Sequence, residues 1–138
     1  MKSEDLDVVR GLLCRVRVLS LGVTVDAEPH VGLLPFVVVP DFGSVLVHAS
    51  RLARHTRGLL PGAPFSALIH GPDEPDADPL QVPRLTVAGT VQPLARDDRG
   101  WEDARRLYLD RFPGSAQTFS LGDFGLYRLQ LESGRLVA

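Results

Sequence analysis

Cysteine, lysine and tryptophan each occur once in the 138 residues, and the first of these scarcities excludes two architectures. A lone thiol, Cys14, closes no internal disulfide, and no CxxC or Cys/His spacing offers a structural metal site. A domain of this length buries about two thirds of its unfolded surface, so it needs no such staple. Cys14 therefore reads as a small buried or half-buried residue. No apolar run approaches the roughly 20 residues of a membrane span. The opening Lys2-Ser3-Glu4-Asp5 lacks the apolar region of a secretion signal. One soluble, cytoplasmic domain over residues 1–138, with no membrane partner, is the expectation. A basic excess is missing too: the formal charge of −2 argues against nucleic-acid binding. His30, His48, His55 and His70 show no metal-ligand spacing, and GxSxG, Walker and GxGxxG patterns are absent. Asp123-Phe124-Gly125 spells a kinase triplet by chance, since its partner motifs are lacking.

What is present is valine and leucine in strand-like order. Residues 4–14, EDLDVVRGLLC, set Leu6, Val9, Leu12 and Leu13 at near-helical spacing behind Glu4 and Asp5, which suit a helix N-terminus. RVRVLSLGVTV (15–25) reads as a strand whose alternation changes phase near Val18-Leu19, so a bulge is expected there. VGLLPFVVVP (31–40) is apolar on both faces and expected to lie deep, with Pro35 implying an edge or a bulge. VLVHA (45–49) is a third strand. Ser50 is then a good helix N-cap, with RLARHTRGLL as the helix and Pro61-Gly62 as its stop.

PFSALIHG makes a fourth strand, and PDEPDADPLQVP an acidic, proline-rich surface loop. RLTVAGTVQPL alternates cleanly, with Leu85, Val87 and Val91 on one face. Asp97 and Asp98 open an amphipathic helix whose Trp101, Ala104, Tyr108 and Phe112 form a core-packing stripe. DFGLYRLQLE, a turn at Ser133-Gly134 and RLVA finish the chain. Short connections favour antiparallel pairing, so the pattern predicts a small, mainly β (α+β) barrel of about six strands with three helices.

Positive charge concentrates where the third strand ends. On the expected helix, positions 51, 54, 55 and 58 share a face, namely Arg51, Arg54, His55 and Gly58. Two guanidinium forks beside a serine hydroxyl and free N–H groups match a phosphate. Gly58 would leave room for a ligand or another chain. The same spacing equally fits a solvated basic face paired with Glu74 or Asp76 on the acidic loop.

The runs PHVGLLPFVVVPDFGSVLVHASRLARHTRGLL, RLTVAGTVQPL and RFPGSAQTFSLGDFGLYRL together resemble the pyridoxamine 5′-phosphate oxidase-like FMN-binding split barrels, and among them the HugZ-like haem-utilisation branch. SRLARHTRGLL and GDFGLYRL carry the likeness to that branch. The resemblance implies a six-stranded antiparallel split barrel with flanking helices, a homodimer with FMN in a groove between subunits. It assigns the phosphate to Ser50, Arg51, Arg54, His55 and Thr56. The isoalloxazine falls to backbone groups of the second strand at residues 33–36, Leu34 and Pro35 included, with His48 at a flavin edge.

Two departures narrow this. The arginine-lysine and tyrosine-threonine pairs of the oxidase proper are missing, with Val47 and His48 at the latter, so pyridoxamine phosphate oxidation is not expected. Haem-degrading relatives continue into a C-terminal domain that supplies a histidine ligand, whereas these residues match the barrel alone. The leading expectation is an FMN-dependent oxidoreductase, working on a small-molecule substrate or electron donor through flavin N5, with no side chain marked as a catalytic acid or base. The alternatives are a haem-binding or haem-utilisation protein without its own turnover, and a cofactor-free split-barrel dimer.

Overall fold

In the computed structural model, which describes residues 2–138, helix α1 (Ser3–Arg15) leads into strands β1 (Val18–Val25), β2 (Glu28–Val38) and β3 (Ser44–Ser50). There follow β4 (Pro64–His70), β5 (Arg84–Leu94), α2 (Trp101–Arg111), α3 (Ala116–Phe119) and β6 (Phe124–Val137). All pairings are antiparallel, and the strands close into a barrel in the order β1-β2-β3-β6-β5-β4. The expected fold class is thus borne out: a six-stranded barrel with three flanking helices.

Alternation along the strands builds two cores. Leu19, Leu21, Val23, Leu34, Phe36, Val45, Val47, Leu85 and Val87 point inward, with Leu12 and Leu13 of α1 packed against them. The outward faces of β2 and β3 place Val37 and Leu46, with Val39 just past β2, against Ala104 and Tyr108 of α2, Phe112 at its end and Phe119 of α3. The predicted α2 stripe therefore does pack as core. Arg111 ties the helices together by donating to the Cys14 and Val16 carbonyls, 2.8 Å each, at the end of α1.

Several local expectations are corrected. The α-helix expected after Ser50 does not form: the chain makes a turn and then a short 3-10 helix, Arg54–Gly58. The Arg51 N–H still bonds the Asp123 carbonyl at 2.5 Å, holding that residue to the sheet. Bonds then run from Ala53 to Ser50, Thr56 to Ala53 and Leu59 to Thr56, a step of three throughout. Thr56 and Gly58 are poor α-helix formers, and this path instead buries Thr56, Gly58 and Leu59. Strand β1 keeps a regular register with β2, without the bulge expected at Val18-Leu19. The irregularity lies instead between β5 and β6, and β6 runs unbroken through the turn expected at Ser133-Gly134. Cys14 is exposed, not buried.

β2 is only half covered. It pairs with β1 from Glu28 to Pro35, but with β3 only at Phe36, Val37 and Val38. The Phe36 N–H donates to the Arg17 carbonyl, so by alternation Pro29, Val31, Leu33 and Pro35 turn their backbone groups to the free edge. Proline has no N–H to waste there, which answers the expectation of an edge at Pro35. The strand is not deep on both faces: Val31 is 76% and Leu33 67% exposed.

Candidate functional site

The expected phosphate cluster does not form as one face. Ser50 caps a turn, its Oγ accepting from the Leu52 N–H at 3.2 Å. The Thr56 hydroxyl is buried and donates to the Ser50 carbonyl at 2.5 Å, a structural bond. Gly58 leaves no room for a ligand, because a Cβ there would stand 2.8 Å from Val23 Cβ and 2.9 Å from the Thr24 carbonyl. Arg54 and Arg57 are exposed. Neither pairs with Glu74 or Asp76; the ion pairs among the described residues are Arg105–Glu102 and Arg106–Asp103, both on α2.

Two separate places emerge. The first is the free edge of β2. His55 lies over Gly32, where a Cβ would come within 2.3 Å of its Nδ1, so only glycine admits the imidazole. Leu34 is buried inward and Pro35 half-buried at the edge beside exposed Leu33 and Val31. His55 Nε2 and His30 Nε2 are buried without a hydrogen-bond partner among the described residues. Orphaned buried nitrogens are rare in folded proteins. Burial also lowers the His55 pKa.

The second place is a cavity of about 200 Å³ at the corner of β3, β5 and β6, roofed by α2 and α3. His48, Arg51, Arg96, Trp101, Phe119 and Phe124 stand in its wall. Of these only His48 and Arg51 were expected to serve a site. Arg96, just past β5, and the aromatic groups were missed, because they gather from segments far apart in sequence. Arg51 donates to the Gly122 carbonyl at 3.1 Å and Arg96 to the Phe119 carbonyl at 2.5 Å, and Arg96 Cζ sits 5.3 Å from the Trp101 ring centroid.

His48 is 6% exposed and stacked on Phe119, with ring centroids 3.9 Å apart and planes within 9°. The Thr118 hydroxyl gives its proton to the Ser115 carbonyl at 2.7 Å, so towards His48 Nδ1, at 3.3 Å, it can only accept. Nδ1 therefore carries the proton and Nε2 the lone pair. Desolvation pushes the His48 pKa down to about 4. Between about 6.5 and about 4 the unfolded chain takes up a proton that the folded chain refuses, so stability falls as pH falls across that window. The loss reaches the order of 3 kcal/mol if fully expressed. His55 acts in the same direction. In His48→Phe, thermal melts across that window should show a visibly flatter pH dependence than in the parent chain.

Neither a protein-family model nor a curated protein matches the sequence. Solved structures match it closely in shape. HutZ, the heme storage protein from Vibrio cholerae, is 27% identical at a TM-score of 0.79, the match covering 94% of this chain and 91% of that one. The fold is a split barrel. Atu2129 from Agrobacterium tumefaciens is 28% identical at a TM-score of 0.81, over 99% of this chain and 57% of that one. This chain thus spans little more than half the Agrobacterium protein. An FAD and heme binding protein from Mycobacterium smegmatis shares the fold at 22% identity and a TM-score of 0.68, over 98% of this chain and 70% of that one. No helix among the described residues is long and apolar enough to cross a membrane.

Proposed function

We propose that this split barrel binds FMN between two copies of itself, along the free edge of β2, as a flavin-dependent oxidoreductase of the pyridoxamine 5′-phosphate oxidase-like kind. The observation that carries the reading is that edge: Val31 and Leu33 present apolar side chains and unpaired backbone groups together. A flat ring system needs such a surface, with backbone donors and acceptors at its rim. The nearby orphaned nitrogens of His30 and His55 mark a region where one chain alone leaves polar groups unsatisfied. The 3-10 helix after β3 is too short to act through a dipole, so the phosphate falls to the exposed Arg54 and Arg57 as charged forks. Arg51 belongs to the separate corner cavity. A bound flavin supplies hydride or electron transfer, and the protein's part is position and charge.

Haem at the same edge is the second reading, favoured by the likeness to HutZ across 91% of that chain. The absorbance spectrum of the purified protein, with mass spectrometry of the released ligand, separates the two. Flavin gives a band near about 450 nm and haem a strong band near about 400 nm, each belonging to the cofactor itself. FMN binding on titration, with a flavin band, is the expected result. Haem alone in the spectrum transfers the assignment to the second reading, and no binding of either ligand leaves a cofactor-free barrel.

A further inference from the structure

We propose that the corner cavity between β3, β5 and β6 is a binding site for a small planar aromatic carboxylate, distinct from the cofactor edge. Its shape and chemistry both point that way. A volume of about 200 Å³ admits a single ring with one substituent, while it is well short of the several hundred needed by a drug-sized or cofactor-sized ligand. Three aromatic side chains, Trp101, Phe119 and Phe124, stand in its wall, with the His48 ring stacked on Phe119 and tilted 40° to Phe124. Such walls favour another flat ring.

Charge sets the ligand's sign. Arg51 and Arg96 reach the cavity from the end of β3 and the end of β5. No carboxylate among the described residues lies within ion-pair distance of either. Asp98, the nearest acid in sequence to Arg96 except Asp97, spends an oxygen on the Ala95 N–H at 2.6 Å. Each guanidinium gives a bond to a backbone carbonyl, Arg51 to Gly122 in the α3–β6 connection and Arg96 to Phe119 at the end of α3. Those bonds fix the forks and leave other N–H groups of each free to donate. Two fixed, unneutralised cations beside one aromatic slot call for an anion, and planar forks match a carboxylate. The neutral His48, with its Nδ1–H committed to Thr118, adds ring surface to the wall and no further charge.

Trp101 is the chain's single tryptophan, so its fluorescence reports on this wall without interference. The test titrates the intact protein with sodium benzoate and with its neutral isostere benzamide. In parallel, amide shifts of Phe124 and Gly125 are followed by NMR. Saturable changes with a Kd of about 1 mM or tighter are expected for benzoate, a fair affinity for nine heavy atoms. Benzamide should bind at least tenfold more weakly, as should benzoate to Arg51→Gln and to Arg96→Gln. Arg96→Lys, which keeps the charge but loses the fork, should fall between. Arg135→Gln, exposed on the far part of β6, should bind like the parent chain. If Arg96→Gln fails to fold, Arg51→Gln and the benzamide comparison still decide. Equal response to benzamide, undiminished binding in the folded glutamine variants, or no saturable change by about 20 mM benzoate overturns the proposal. None of these outcomes depends on whether FMN or haem binds at β2.

Discussion

Gly89→Ala should cost about 4 kcal/mol of folding stability, a large effect for one added methyl group. Ala88 pairs with Ser133 and Gly89 with Leu131, leaving Glu132 as an extra residue on β6. This bulge bends β6, which pairs with β3 from Phe124 to Gln130 and with β5 over nearly its whole length. At the bend the β6 backbone crosses the space where a side chain at Gly89 would stand. A Cβ would lie 1.7 Å from the Gln130 carbonyl oxygen and 2.9 Å from its carbon. A side chain could swing away, but backbone in a ladder cannot move without breaking hydrogen bonds. On its other side Gly89 is paired with buried Phe65 of β4, so β5 is held between two strands there. Urea melts measure the change. Gly114→Ala, with nothing within 4 Å of its Cβ position, should alter stability little and serves as the comparison. A loss at Gly89 no larger than at Gly114 would mean that the bulge relaxes freely.

The bulge also shows where reading from sequence succeeds and stops. Strands β3, β4 and β5 and the stripe on α2 were legible because each is a local period, set by the residues that repeat along it. The extra residue at Glu132 has no local signature; Ser133-Gly134 look like a turn, and only pairing with β5 keeps them extended. The segment after Ser50 failed for a related reason. Its capping residue and leucines fit a helix, but the barrel gains more by burying Thr56, Gly58 and Leu59 beside β1. Once the helix is gone, the shared face of Arg51, Arg54 and His55 goes with it. Arg51 turns to a cavity whose other wall comes from residues 94–126, a grouping that spacing along the chain could not reveal.

Leu33→Asp should turn a dimer into monomers, with a rise of at least about 1,000-fold in the dimer Kd. Within one chain Leu33 is 67% exposed, and its neighbours Leu34 and Phe36 hold the barrel from the other face. Replacement should therefore shift the melting of the isolated barrel by little, as at other exposed positions. A two-fold interface uses the same residue twice. Each leucine withheld from burial forfeits about 1.5–3 kcal/mol, and two aspartates would have to be desolvated without a partner. Light scattering after size exclusion reads the result directly: the parent chain near twice 15.0 kDa, the variant near 15.0 kDa. Leu80→Asp is the matched control, since Leu80 is 71% exposed but sits on the acidic loop, away from β2. It should leave the mass unchanged. If the parent chain is already monomeric at micromolar concentration, or the Leu33 variant still dimerises, the β2 edge is not the subunit interface. FMN binding sharpens the outcome, because a groove shared by two subunits must lose its ligand as they part. A monomeric Leu33 variant that kept full FMN affinity would place the cofactor within one chain.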